Sequence, residues 1–285
     1  MRPDNSRTIG IIILIVVLLH TALLASCSRQ TDVPAPVESG YAEIGAVRLY
    51  YEITGDGEPL LLLHGGLGGS EHFAEVVPLL SKSFEVITVD RRGHGRSTDD
   101  GEPYSYAGMA EEMRAFLDHL QLGSVKMLGF SDGGVVGFHL ASTYPETVER
   151  LIAVGANFSV DGMTPETVEF MTNRMTPEEL GKVFPEVERA YRATNPQPDN
   201  YASFIERSRA MWTRDPYLTE QQMKEIKTPV LSNIGEHDAI RLEHALEIRS
   251  LIEGSQICVL PGAPHFLLGE KPEVVLPILM DFFAS

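Results

Sequence analysis

The chain has 285 residues, 43% of them hydrophobic, 8% aromatic and 22% charged, with 25 Gly and 18 Pro. These proportions exclude a disordered or collagen-like chain, and the length allows one large domain or two small ones with a sizeable core. A formal charge of −17 argues against nucleic acid as a partner, because phosphate contacts need clustered Lys and Arg.

The first segment reads as an address. Residues 1–7 carry Arg2 and Arg7 against Asp4, residues 9–19 are apolar apart from Gly10, and small residues follow. This is the order of a secretory signal peptide, with an uncleaved anchor as the competing reading. The apolar run is short for a bilayer span, which takes about 20 residues. Leu24-Ala25-Ser26-Cys27 resembles the bacterial lipobox, in which the Cys is lipidated and becomes the first mature residue. The resemblance implies a signal peptide over 1–26, lipidation at Cys27 and an exported protein held on the cell-envelope membrane by its acyl chains. Residues 27–39, with Pro34 and Pro36, read as a polar tether, so the folded domain is expected over 40–285. Lipidation of Cys27 would leave Cys258 without a disulfide partner, and its apolar strand-like setting predicts a buried structural thiol.

Residues 46–53 alternate and predict an edge strand. Continuous apolar runs at 59–63, 85–89, 125–129, 151–154, 230–234 and 256–260 suit strands buried on both faces of a parallel sheet. Helical patterns lie between them at 72–81, 105–120, 134–144, 241–251 and 273–283. The alternation predicts an α/β fold, with a mostly parallel central sheet and helices on both faces. Residues 160–227 break it. They offer no strand, and Thr164-Pro165-Glu166 and Thr176-Pro177-Glu178 have the order that starts helices, so this stretch is expected to be a helical cap over a site.

Ligands of open α/β sheets bind beyond the carboxyl ends of the strands. Gly129-Phe130-Ser131-Asp132-Gly133-Gly134 follows a strand and precedes a helix, a setting in which G-x-S-x-G thrusts the Ser hydroxyl outward as a nucleophile. A Ser hydroxyl needs a base. Of nine histidines, His265 lies in the loop expected after the last strand, whereas His64 precedes two glycines and reads as structural. The base needs a carboxylate to hold its tautomer. Asp238, after the strand at 230–234, is the choice, with Glu236 as runner-up.

The order Ser131, Asp238, His265 is that of α/β-hydrolases. Residues 40–285 resemble this superfamily through five pieces. They are Leu61-Leu62-Leu63-His64-Gly65-Gly66, Asp90-Arg91-Arg92-Gly93-His94-Gly95-Arg96-Ser97, the Ser131 turn, Gly235-Glu236-His237-Asp238 and Pro264-His265-Phe266. The resemblance implies an α/β-hydrolase fold with a helical cap, and an oxyanion hole formed by the N–H groups of Gly66 and Asp132. Its Gly-x-Ser-Asp-Gly-Gly elbow looks most like hydrolases of small esters and amino-acid esters.

The expected activity is hydrolysis of a small carboxylic ester, or an amide, through an acyl-enzyme, without metal or other cofactor. A carbon–carbon bond hydrolase, an aminopeptidase, a perhydrolase and a lipid-anchored non-catalytic binding module remain alternatives. In the cap, Phe170, Met171, Phe184, Tyr191, Met211 and Trp212 can either line an acyl pocket or pack the cap onto the sheet. Arg174, Arg192, Arg207 and Arg214 are expected to be mostly solvated, and one facing the pocket would indicate an anionic substrate.

Overall fold

The computed structural model describes residues 38–214 and 217–285. The signal peptide read over 1–26 and the lipidation candidate Cys27 lie outside the described residues. So does most of the tether read over 27–39; its last two residues, Glu38 and Ser39, already belong to a strand.

Eight strands form one sheet in the order β1-β2-β4-β3-β5-β6-β7-β8. They are β1 (Glu38–Ile44), β2 (Val47–Thr54), β3 (Glu58–Leu63), β4 (Phe84–Val89), β5 (Val125–Phe130), β6 (Val148–Val154), β7 (Val230–His237) and β8 (Gln256–Pro264). The β1–β2 and β2–β4 pairs are antiparallel and the other five are parallel. The edge is therefore β1, not the strand read at 46–53. Ala42 and Ile44 are the buried residues of β1, too short an apolar signal to mark a strand in the sequence.

The continuous apolar runs follow from burial on both faces. Along β3, Leu61 and Leu63 join one core while Leu60 and Leu62 join the other. The first core is covered by α2 (Tyr106–His119), α3 (Asp132–Thr143) and the cap; the second by α1 (Val77–Leu80) and the helix Pro272–Ala284. The helix expected at 72–81 is only a 3₁₀ turn, Ser70–Phe73, followed by α1, because Pro78 has no N–H to donate and so fits the first turn of a helix rather than its middle. Cys258 is half-buried rather than buried, since β8 is the opposite edge of the sheet.

Between β6 and β7 the chain forms α4 (Pro165–Asn173), α5 (Pro177–Val183), α6 (Pro185–Thr194), α7 (Tyr201–Trp212) and α8 (Glu220–Glu225). Thr164 and Thr176 cap α4 and α5 through their side chains, and Pro stands in the first turn of both. The cap is tied to the loop after β4. Arg207 on α7 pairs with the fully buried carboxylate of Asp99, which also accepts from Tyr104 Oη at 2.6 Å. Asn195 Nδ2 donates to the carbonyls of Gly93 and Gly95, both at 3.2 Å. Arg207 is thus an anchor rather than a solvated charge, and burying the paired carboxylate makes the attachment costly to break. Among the described residues no helix is long and apolar enough to cross a membrane.

Candidate active site

The turn after β5 places Ser131 in a conformation that side chains rarely adopt, with φ +51° and ψ −117°. The flanking glycines permit it. A Cβ at Gly133 would collide with the Leu63 carbonyl oxygen, and one at Gly129 would collide with the Gly133 carbonyl oxygen. The Ser131 N–H donates to the Val154 carbonyl at 2.7 Å, which fixes the turn to β6. Helix α3 then starts at Asp132, so its first N–H groups and positive dipole end face the space beside the hydroxyl.

Strand β8 runs farther than the sequence suggested, through Pro264, and delivers His265 directly from its end rather than from a loop. Strand β7 likewise continues to His237 and delivers Asp238. His265 Nε2 lies 3.1 Å from Ser131 Oγ, and His265 Nδ1 lies 2.6 Å from Asp238 Oδ1. The Asp238 carboxylate is held by the N–H groups of Ile240 at 3.0 Å and Gly235 at 3.1 Å. The Asp238 carboxylate accepts from Nδ1–H in this arrangement, leaving Nε2 free to accept from the Ser131 hydroxyl. Glu236, two residues earlier, is exposed and accepts from the Gly262 N–H at 2.8 Å, away from the imidazole.

Burial of His265 favours the neutral ring, but the nearby Asp238 charge, the hydrogen bond to it and the more distant Asp132 outweigh this and raise its pKa above the ordinary value of 6.5. If His265 serves as a general base it works when neutral, so activity should fall as pH drops through that raised value. The acidic limb of kcat/KM is expected to have its midpoint above 6.5, as a pH–rate profile would measure. A midpoint below 6.5 would contradict the coupling.

A cavity of about 160 Å³ opens over these side chains. Ser131, His265, Gly66 and Asp132 border it at the sheet, and Phe170, Met171, Met175, Leu180, Phe184 and Val187 line it from the cap. Of the cap residues singled out by sequence, Phe170, Met171, Phe184 and Trp212 reach the cavity, while Met211 and Tyr191 do not. No Arg or Lys is among the described lining residues. Arg174 instead pairs with Glu179 at 2.9 Å, Arg192 with Glu188 at 2.8 Å, and Arg214 is exposed.

Asp132, which the sequence marks as a pocket residue too near Ser131 in the chain to orient His265, borders the cavity, but its partners had no signal in the sequence. Its carboxylate accepts from Tyr106 Oη at 2.8 Å and from Trp212 Nε1 at 2.9 Å, and lies 3.7 Å from the Arg91 guanidinium. Arg91 is fully buried and also donates to the His64 and Gly65 carbonyls, both at 3.0 Å. His64 is structural as expected: it is fully buried and Nε2 accepts from the Arg91 N–H at 2.9 Å. Asp132 therefore ties the cap to the Ser131 turn while its own N–H opens α3. The Trp212 ring packs against Gly66, where a Cβ would stand 2.9 Å from Cη2.

Residues 58–200, just over half the chain, match the model of the alpha/beta hydrolase fold family. The chain belongs to that family. It is 27% identical to a putative non-heme chloroperoxidase of Synechocystis sp., over 86% of this chain and 98% of the relative. It is also 27% identical to the 2-hydroxy-6-oxo-2,4-heptadienoate hydrolase of Pseudomonas putida, over 85% of this chain and 94% of the relative. Its fold is similar to that of the carboxylesterase CesB from Bacillus subtilis, with a TM-score of 0.74, 23% identity and coverage of 92% and 97% of the two chains.

Proposed function

We propose that this α/β-hydrolase is a serine hydrolase that cleaves a small carboxylic ester through an acyl-enzyme. The observation that carries the reading is the continuous hydrogen-bonded line from Ser131 Oγ through His265 to Asp238 at the floor of an apolar cavity. Ser131 attacks the ester carbonyl as His265 Nε2 takes its proton, and Asp238 stabilises the imidazolium. The N–H groups of Gly66 and Asp132 receive the negative charge on the tetrahedral oxygen. Collapse expels the alcohol, which takes the proton back from His265. Water, activated by the same imidazole, then attacks the acyl-enzyme and releases the acid and free Ser131. The apolar side chains of α4, α5 and α6 suit a hydrocarbon acyl group.

The relatives' names span several reactions on one fold, so the site and not the fold selects among them. The Pseudomonas relative's substrate is named as a carboxylate. The cavity here has no Arg or Lys among its described lining residues to meet such a charge, which favours a neutral ester. Export and lipid anchoring at Cys27 belong to the same proposal and rest on the lipobox resemblance.

A fluorophosphonate probe tests the reading because it phosphonylates an activated Ser and leaves an ordinary one untouched. Mass spectrometry of the full chain should locate one adduct, on Ser131, and turnover of p-nitrophenyl butyrate should stop in step with labelling. No adduct on Ser131 together with no turnover would favour a non-catalytic binding module.

A further inference from the structure

The chain after β6 passes the catalytic imidazole. Gly155 lies against His265, where a Cβ would sit 2.8 Å from Cε1, and two residues later Asn157 lines the cavity while only 7% exposed. Its amide is locked: Nδ2 donates to the Ser159 carbonyl at 2.7 Å, and a carbonyl can only accept, so the nitrogen is the atom turned that way. Oδ1 is then the amide atom left for a ligand in the cavity that Asn157 lines, and among the described residues no protein donor is paired with it. Two other polar groups of the lining already have protein partners. The carboxylate of Asp132 is taken by Tyr106 and Trp212, and the Thr167 hydroxyl is paired with that of Thr164 at 2.8 Å.

We propose that Asn157 is a specificity-determining residue that reads the alcohol half of the ester, favouring one that carries a hydrogen-bond donor a few atoms beyond the ester oxygen. This rests on the esterase reading above. The alcohol must leave beside His265, which returns its proton, and the 155–157 segment flanks that ring. A fixed, nearly buried acceptor costs free energy when an apolar ligand excludes water without replacing the hydrogen bond. A donor placed there restores it. The substrate is thus amphipathic, with a hydrocarbon acyl group under the cap and a hydroxyl- or N–H-bearing alcohol at Asn157.

The test compares 2-hydroxyethyl butyrate with n-propyl butyrate, which differ by an OH for a CH₃ at nearly constant size. Each kcat/KM is divided by the hydroxide-catalysed rate of the same ester, which removes the difference in leaving-group acidity. Wild type should then prefer the hydroxyethyl ester by about three- to tenfold, the worth of one hydrogen bond. In Asn157→Leu the preference should vanish or reverse, whereas a merely structural Asn157 would slow both esters alike and leave the ratio unchanged. If the variant does not fold, the corrected wild-type ratio still decides: a ratio at or below one overturns the proposal. Hydrolysis of both esters without preference would sink the Asn157 assignment and spare the esterase reading; turnover of no ester at all would sink both.

Discussion

Ser131→Ala should lower kcat for p-nitrophenyl butyrate by on the order of 10⁴–10⁶-fold, with KM changed much less. In the proposed mechanism the hydroxyl oxygen forms the acyl bond, and water held in its place lacks the same orientation. His265→Ala should fall in the same range, because Ser131 without a base at 3.1 Å is a poor nucleophile at neutral pH. The double variant should be scarcely slower than either single one, since the two side chains act as a unit. Circular dichroism and thermal unfolding would establish that each variant is folded. Wild-type rates in a folded Ser131→Ala would refute the acyl-enzyme.

Asp238→Asn should cost about 10⁴ in kcat while barely changing the shape of the site. An amide facing His265 Nδ1 can donate as well as accept, so it permits the tautomer in which Nε2 carries the proton and cannot take one from Ser131. The pH profile provides a separate readout. Without the Asp238 charge the effect of burial on His265 goes largely unopposed, so the acidic limb should move to lower pH than in wild type. Glu236→Gln serves as the matched control, because Glu236 is exposed and bonded to the Gly262 N–H. Its rate and its acidic limb should stay near wild type. A large loss in Glu236→Gln with none in Asp238→Asn would reverse the assignment.

The candidate catalytic positions could be picked out because each carries a local requirement. Ser131 needs glycines on either side of a strand-to-helix turn, and Gly129 and Gly133 supply them where backbone carbonyls leave no room for a Cβ. Continuous apolar runs marked the central strands since both faces of the sheet are covered. Asp238 and Glu236 were harder to separate. Both follow the apolar core of β7, and the choice depends on how far the strand continues, which one or two hydrogen bonds decide. Strand β1 escaped notice because an edge strand buries too few side chains to leave a pattern.

Amino-acid order by itself determined the α/β alternation, the place of the cap, and which Ser and His stand at strand ends, because these depend on short-range periodicity and turn chemistry. Tertiary structure alone decided which distant groups meet. Trp212 reaches Asp132 across 80 positions, and Arg207 finds Asp99 across 108. No local pattern encodes such pairings. They arise when the cap closes over the sheet and each buried polar group must find a partner, in the protein or in what binds there.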